Sequence, residues 1–310
     1  FEDVEAEVEK AGLPVIFKAA AGGGGRGMRI VRESSELKAA FDMASNEAQA
    51  AFGDPRLFVE RYIDNARHVE VQVIGDVFGT VVHIGMRDCS PQRRHQKVIE
   101  EAPAYHLPEE LGNRILEAAV AQTSSIGYSG AGTVEFLVDT ERDEFYFMEV
   151  NTRIQVEHPV SEEISRIDLI KEQIRVGYGA PLSFSQEEVE FKGHAIECRI
   201  TAEDPRDDFF PSPGCIENFM VPTGDKVRVD THCYPGYEVS PYYDSMIAKL
   251  ITAGETREEA IANMKVALDA FVVEGIETNI PFLQFVIDQP EFLAGDIGIK
   301  WIEDTVLPRF

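Results

Sequence analysis

Basic residues are scarce in this chain: 29 Lys and Arg stand against 55 Asp and Glu, a formal net charge of −26 over 310 residues. That imbalance argues against a surface built to grip a nucleic-acid backbone or an anionic membrane. Any anion the protein binds must therefore meet a local basic pocket. Cysteine is sparse as well. Cys89, Cys198, Cys215 and Cys233 are scattered with no CxxC pair, which argues against a zinc site or a disulfide frame and fits reduced thiols in a cytosol-like compartment. No apolar run approaches the roughly 18 residues of a membrane span, and the N-terminus has no basic-then-apolar signal pattern. Low-complexity segments and internal repeats are missing too. So is an initiating Met: the chain opens on Phe1, with Val4, Val8 and Ala11 already at helical spacing, so a fragment of a longer protein is expected.

What remains is a 44% hydrophobic chain, enough for a sizeable core, whose length suggests about two domains at roughly 100 to 200 residues each. Residues 13–31 read as strand, glycine loop, strand. A helix is expected from Ser35 to Ala51 with Ser34 or Ser35 as N-cap, then a strand in "RLFVERYI", so that a small first unit ends near Ile63. The segments "VEVQVIG" and "TVVHIG" alternate as a meander. A helix is expected over 108–126, two strands in "GTVEFLVD" and "EFYFMEVN", a helix over 164–177, mixed strands from Gly193, and a helix over 256–272 with Thr256 as N-cap and Glu258 and Glu259 in its first turn. Strands mixed with helices imply an α/β or α+β fold.

The run "GGGGRG" from Gly22 to Gly27 satisfies GxGxxG. A dinucleotide-binding loop needs a helix next, and Met28 to Val31 is strand-like; a Walker A loop needs Gly-Lys-Ser/Thr, and this one ends Arg-Gly-Met. The surviving reading is a flexible loop between strands whose N–H groups fold over a phosphate chain, with Lys18 and Arg26 supplying charge; the alternative is a bare hairpin tip.

A hairpin centred near Arg142 sets Glu135 opposite Glu149, and alternation adds Asn151 to their face beside Phe145 and Phe147. Opposed like charges call for compensation, and two carboxylates with an amide oxygen suit Mg²⁺ held with substrate phosphates; a solvated acidic edge is the alternative. Further alternation puts Arg153, Gln155 and Glu157 on one side, with Ile154 and Val156 on the other. That row suits a small planar anion with Glu157 as general base; an ordinary charged strand or loop is the alternative. The cluster "QRRHQK", Gln92 to Lys97, is a basic patch able to supply the local pocket demanded by the charge balance; solvated surface charge is the alternative.

The segments "FKAAAGGGGRGMR", "RHVEVQV", "RDCSPQRRHQKVIEEAPA", "GTVEFL", "FYFMEVNTRIQVEHPVSE", "DLIKEQIRVGYG", "HAIECRITAEDP" and "PYYDSMIAKLI" resemble, in collinear order from about Leu13 to Asn279, the biotin carboxylase component of biotin-dependent carboxylases of the acetyl-CoA, propionyl-CoA or pyruvate carboxylase type. The resemblance implies an α+β ATP-grasp fold with the biotin carboxylase C-terminal domain, lacking the family's N-terminal Rossmann-like domain. Its divisions would be a lid domain at 1–63, a large catalytic domain at 64–192, and the C-terminal domain at 193–310 packed with the preceding one as a single body.

The resemblance implies ATP-dependent carboxylation of biotin with bicarbonate through carboxyphosphate, on a biotin carboxyl carrier, ahead of a carboxyltransferase. It assigns ATP to Lys18, Gly23, Gly24, Gly25, Met28, Glu60, Arg61, Tyr62, Ile63, His68, Gln92, His95 and Leu137. Mg²⁺ or Mn²⁺ goes to Glu135, Glu149 and Asn151; bicarbonate to Lys97, Arg153, Gln155 and the N–H of Val156. Glu157 is the implied base and Arg199 the stabiliser of the biotin enolate. A homodimer, no nucleic acid, no membrane, and a cytoplasmic or mitochondrial-matrix setting complete the expectation. Two alternatives stand beside it: another bicarbonate-phosphorylating ligase of carbamoyl phosphate synthetase type, and a non-catalytic nucleotide- or carrier-binding fragment. Without the upstream domain, weak or no activity is expected of these residues alone.

Overall fold

The computed structural model describes residues 2–21 and 28–310, which divide into two compact units, Phe1–Asp64 and Asn65–Phe310. In the first, strand β1 (Val15–Ala19) lies between β2 (Arg29–Val31) and β3 (Leu57–Arg61), antiparallel to both. Helices α1 (Glu2–Ala11) and α2 (Leu37–Phe52) accompany them. The helical spacing of Val4, Val8 and Ala11 is realised in α1: Val8 joins Val15, Phe17, Val31, Leu37 and Ala44 in one core. The start of α2 differs from expectation. A 3-10 turn at Ser34–Glu36 precedes it, and the Glu36 carboxylate, not a serine hydroxyl, accepts from the N–H groups of Arg32 (3.3 Å) and Glu33 (3.4 Å).

The second unit is organised by an eight-stranded sheet, antiparallel throughout. Its strands are β4 (Arg67–Gly75), β5 (Val81–Asp88), β6 (Ile99–Ala102), β7 (Gly130–Asp139), β8 (Glu144–Asn151), β9 (His194–Thr201), β10 (Val227–Thr231) and β11 (Met246–Gly254). Their spatial order is β8-β7-β4-β5-β6-β9-β11-β10. Strands from both sides of residue 193 hydrogen-bond into this sheet, with β9 paired to β6.

Alternation gives the sheet two faces. On one, Val69, Val71, Val134 and Phe136 pack with Leu111 and Ile115 of α3 (Glu109–Ser125). Farther along, Ile196, Cys198 and Leu250 pack with Ala260 and Met264 of α6 (Arg257–Ala270) and with Phe282 and Leu283 of α7 (Ile280–Ile287). Thr256 caps α6 as expected, accepting from the Glu259 N–H at 3.3 Å. Each fully buried aliphatic side chain here contributes about 1.5–3 kcal/mol.

The other face is divided along the strands. One half is apolar and covered by α4 (His158–Ser165) and α5 (Leu169–Gly177): Ala102, Val160, Ile164, Ala195, Ile251 and Ala253 form one cluster, and Ile74, Val82, Ile84, Ala131 and Leu169 another. The expected single helix over 164–177 is thus two. Arg166, at φ 61° in the left-handed region, ends the first, and the Asp168 side chain, accepting from Lys171 N at 2.8 Å, starts the second. Beyond α4 the same strand faces turn polar: Ile74 gives way to Gln72 and Glu70, Ala131 to Thr133 and Glu135, Ala102 to Glu100, and Ala195 to Glu197 and Arg199.

Candidate functional site

The polar half of that face carries a row of charge set by strand register. Glu149 pairs with Glu135, Glu135 with Glu70, and Glu70 with Arg87, so the row crosses β8, β7, β4 and β5. On the far side of β5, Glu100 pairs with Glu197, and Arg199 with Lys249, which pairs in turn with Asp230. The Glu135–Glu149 pairing is the one expected from the hairpin, but it arises differently. From Glu144 to Phe147 the paired numbers sum to one less, and a bulge between Phe147 and Glu149 restores the match. The bulge also inverts the alternation. Phe145 and Phe147 therefore turn onto Phe136, at ring separations of 5.5 and 6.3 Å, on the face opposite Glu149 and not beside it as expected.

Lys97 is the hub of the row. Its ammonium donates to Glu157 Oε1 (2.5 Å), Glu70 Oε2 (2.6 Å) and Glu135 Oε1 (3.2 Å). Burial opposes the charge on Lys97, but the surrounding carboxylates outweigh it and hold the lysine more firmly protonated than usual. Arg87, wholly buried, donates to Glu70 Oε1 (2.6 Å), Gln72 Oε1 (2.7 Å) and Ser161 Oγ of α4 (3.0 Å). Burial would raise Glu70, and Arg87 and Lys97 bring it down to about 2. Burial likewise opposes contacts of Glu135 with His68, Lys97 and Gln155, which hold it at about 2. His68, Glu70 and Glu135 offer ligand atoms within 4.8 Å of one another, as do Glu70, Cys89 and Glu157. Lys97 bonds Glu70, shared by both groups, together with Glu135 of the first and Glu157 of the second.

Arg199 completes the pocket from β9, with Nε donating to Glu100 Oε1 (2.6 Å) and Nη2 to Glu157 Oε2 (2.9 Å). Glu157, 1% exposed, is thereby clamped between an ammonium and a guanidinium. The strand expected over residues 153–157 is absent: β8 ends at Asn151, and an irregular turn leads into α4. Gln155 is buried in that turn, with Nε2 donating to Glu135 Oε1 (2.8 Å). Asn151 Nδ2 donates to Glu135 (3.0 Å) and Glu149 (3.3 Å), while Arg153 is exposed and donates to Ile154 O (3.3 Å) and Asn151 Oδ1 (3.4 Å). Lys249 Nζ donates to Val156 O (2.9 Å) and so pins the turn that carries the Val156 N–H assigned by the resemblance to bicarbonate.

His68 borders the row, its Nε2 3.2 Å from Glu135 Oε2, and Gln92 Nε2 lies 2.8 Å from His68 Nδ1. Leu137 pairs with His68 across β7 and β4. His95 is exposed at φ 63° in the turn between two short strands, Gln92–Arg93 and Gln96–Lys97. In the first unit, Lys18 on β1 and Glu60 on β3 form an ion pair, Tyr62 N donates to Pro14 O (2.8 Å), and Met28, Arg61, Tyr62 and Ile63 are half-buried. Gly23, Gly24 and Gly25 lie outside the described residues. Sequence reasoning missed Glu70, Arg87, Glu100, Glu197 and Lys249. The alternation of "RHVEVQV" put Glu70 on one face with His68, but whether that face was the site's was not readable from one strand.

A base held between two cations, beside an opposed carboxylate pair and an amide-bearing turn, can bind a small anion, remove its proton and receive a metal-bound phosphate chain. Known proteins agree with such a site. Residues 1–185 match the family model "Carbamoyl-phosphate synthase L chain, ATP binding domain", and 197–304 match "Biotin carboxylase C-terminal domain". Biotin carboxylase 1 of Bacillus subtilis is 52% identical over 97% of this chain, which covers 68% of that protein. The biotin carboxylase of Campylobacter jejuni, solved in complex with β,γ-ATP, superposes with a TM-score of 0.85 at 51% identity, over 96% of this chain and 66% of that one. The biotin carboxylase domain dimer of Hydrogenobacter thermophilus 2-oxoglutarate carboxylase, in complex with MgADP, ADP and bicarbonate, gives 0.85 at 46% identity, over 98% and 67%. The chain thus spans about two thirds of these relatives' length. Both parts of the architecture match in collinear order, and the likeness runs through the strands that build the charged row, so the chain belongs to the biotin carboxylase family.

Proposed function

We propose that the protein carboxylates biotin at the expense of ATP with bicarbonate as the carboxyl source. The observation that carries this reading is Glu157, a buried carboxylate bonded to Lys97 on one oxygen and to Arg199 on the other. Bicarbonate is a poor nucleophile, and a base inside a cationic cradle both orients and activates it. Lys97, Arg153, Gln155 and the Val156 N–H take the anion, and Glu157 removes its proton. The anion's oxygen then bonds to the γ-phosphorus of ATP as the bond to ADP breaks, giving carboxyphosphate, which divides into CO₂ and phosphate. The phosphate so released takes the ureido N–H proton of biotin, Arg199 stabilises the resulting negative oxygen, and the nitrogen bonds to CO₂. A guanidinium suits that role because it does not give up its proton.

Glu135 and Glu149, opposed across two strands, present hard oxygen donors that fit Mg²⁺ or Mn²⁺, and Asn151, which here donates to both through Nδ2, would add its Oδ1 once the amide turns over. Such an ion supplies charge neutralisation on the transferring phosphoryl group. Lys18 and the glycine loop serve the phosphates, Glu60 to Ile63 the adenine, and His68, Gln92, His95 and Leu137 the nucleotide's remaining contacts. A carrier bearing biotin, a carboxyltransferase and a second copy of the chain are the proposed partners. No helix of the described residues is long and apolar enough to cross a membrane.

The test is ATP cleavage by the full-length protein, which should require bicarbonate and rise with free biotin. Indifference to biotin would overturn the reading, and turnover that depends on ammonia would favour a carbamoyl phosphate synthetase type of chemistry.

A further inference from the structure

Behind Arg199 lies a pair of carboxyl groups that the proposed reaction does not use. Glu100 on β6 and Glu197 on β9 are direct cross-strand partners, and both are wholly buried. Direct partners hold their Cβ atoms about 4.5–5.5 Å apart. Glu100 Oε1 accepts from Arg199 Nε, but Glu100 Oε2 and both oxygens of Glu197 have no hydrogen-bond partner. Five buried carboxyl groups line this site, Glu70, Glu100, Glu135, Glu157 and Glu197, while the permanent cations bonded to them are Arg87, Lys97 and Arg199, and the His68 ring lies beside Glu135, away from Glu197. Two ionised buried carboxylates facing each other, one of them bonded to no cation, are strongly unfavourable. A single proton resolves the conflict, because a hydroxyl on Glu197 gives the bare Glu100 Oε2 its donor.

We propose that Glu197 and Glu100 form a buried acid–carboxylate pair, Glu197 carrying the proton, and that the pair is a positioning device that holds Arg199 against Glu157 for the step in which biotin accepts CO₂. The inference rests on the role given to Arg199 above. Charged and titratable groups around the pair agree with it. Burial and the Glu100 charge hold Glu197 well above the carboxylate range, with Lys249 and Arg199 pulling down and Glu157 pushing up. Burial also raises Glu100, against Arg199 and Lys97 and together with Glu157, to about 7. The neighbouring thiols Cys89 and Cys198 are driven upward by burial and remain neutral. Keeping one negative charge on the pair, and no more, leaves the Arg199 guanidinium bonded through Nε to Glu100 and through Nη2 to Glu157.

The full-length protein tests this in two ways. Infrared difference spectra of wild type against Glu197→Gln near pH 8 should show loss of one protonated-carboxyl carbonyl band and no loss of carboxylate bands; loss of carboxylate bands instead overturns the proposal. In turnover, Glu197→Leu removes the donor and should lower biotin-dependent ATP cleavage about tenfold or more, with Glu197→Gln, which keeps an N–H donor of the same shape, recovering most of it. Equal losses in the two variants overturn the positioning role, and a Leu variant that fails to fold leaves the infrared result to decide. Arg199→Met separates the two readings. If it leaves biotin-dependent turnover intact, the role of Arg199 fails while the spectra still report on the pair.

Discussion

Lys97 Nζ lies 2.5 Å from Glu157 Oε1, and the same ammonium also bonds Glu70 and Glu135. One cation therefore holds the proposed base, a wholly buried carboxylate and a proposed metal ligand in a single geometry. Removing it leaves three carboxylates facing one another, with Arg87 on Glu70, Arg199 on Glu157 and the His68 ring beside Glu135.

Lys97→Met should on this basis lose at least a hundredfold in bicarbonate-dependent ATP cleavage and destabilise the protein by about 3–5 kcal/mol, the range for breaking a buried ion pair from one side. Glu157→Gln should lose activity to a similar degree but less stability, because Lys97 keeps Glu70 and Glu135 and Arg199 keeps Glu100. Steady-state rates and urea midpoints of the two variants, taken together, check the contrast.

How far this site was legible in the sequence depended on how each part is built. Glu135, Glu149 and Asn151 lie on two strands joined by a short turn, so counting across the turn found the pairing. The bulge at Met148 was invisible, since nothing in "FYFMEVN" forces a residue out of the ladder, and it moved Phe145 and Phe147 to the other face. Helix α6 was readable because Thr256 and its acidic first turn are local signals. Glu100 and Glu197 were unreadable: their meeting requires β6 and β9, nearly a hundred residues apart, to be neighbours in the sheet. The turn after Asn151 was read as a continuing strand because Arg153, Gln155 and Glu157 alternate with apolar residues, a pattern that a loop entering a helix can share.

Metal dependence follows from the opposed carboxylates. Glu149 is exposed and contacts Asn151, whereas Glu135 is buried and tied to Lys97, Gln155 and Asn151. Glu149→Gln should chiefly raise the Mg²⁺ concentration needed for half-maximal ATP cleavage, by about tenfold or more. Glu135→Gln should also lower the maximal rate, because it disturbs the Lys97 network. Mg²⁺ titrations of both variants distinguish the two effects; equal Mg²⁺ requirements for Glu149→Gln and wild type would remove Glu149 from the ligand set.

Lys249 acts on the anion site through the backbone. Its donation to Val156 O, at 2.9 Å, fixes the peptide that follows the Val156 N–H, and Asp230 lies 3.3 Å from the same ammonium. Lys249→Met should loosen the turn, raising KM for bicarbonate about tenfold while changing the maximal rate less, since Glu157 keeps Lys97 and Arg199. A maximal rate that falls with no change in KM would place Lys249 in the chemistry itself.

Away from the site, Glu101 shows how a buried acid makes stability depend on pH. Its carboxylate bonds His194 Nε2 (2.8 Å) and Arg257 Nε (2.7 Å) and is nearly unexposed. Burial would raise it, but His194 and Arg257 bring it from the ordinary 4.5 down to about 2. The folded protein thus binds this proton more weakly than the unfolded chain, so the ionised group stabilises the fold above pH 4.5 and the contribution disappears as pH falls toward 2. A gap of that size corresponds to about 3 kcal/mol at neutral pH. Glu101→Gln should therefore lower the urea midpoint markedly at pH 7, with the difference from wild type shrinking steadily between pH 4.5 and pH 2.5. A difference that stayed constant over that interval would mean the loss comes from packing or hydrogen-bond shape and not from the charge shared with His194 and Arg257.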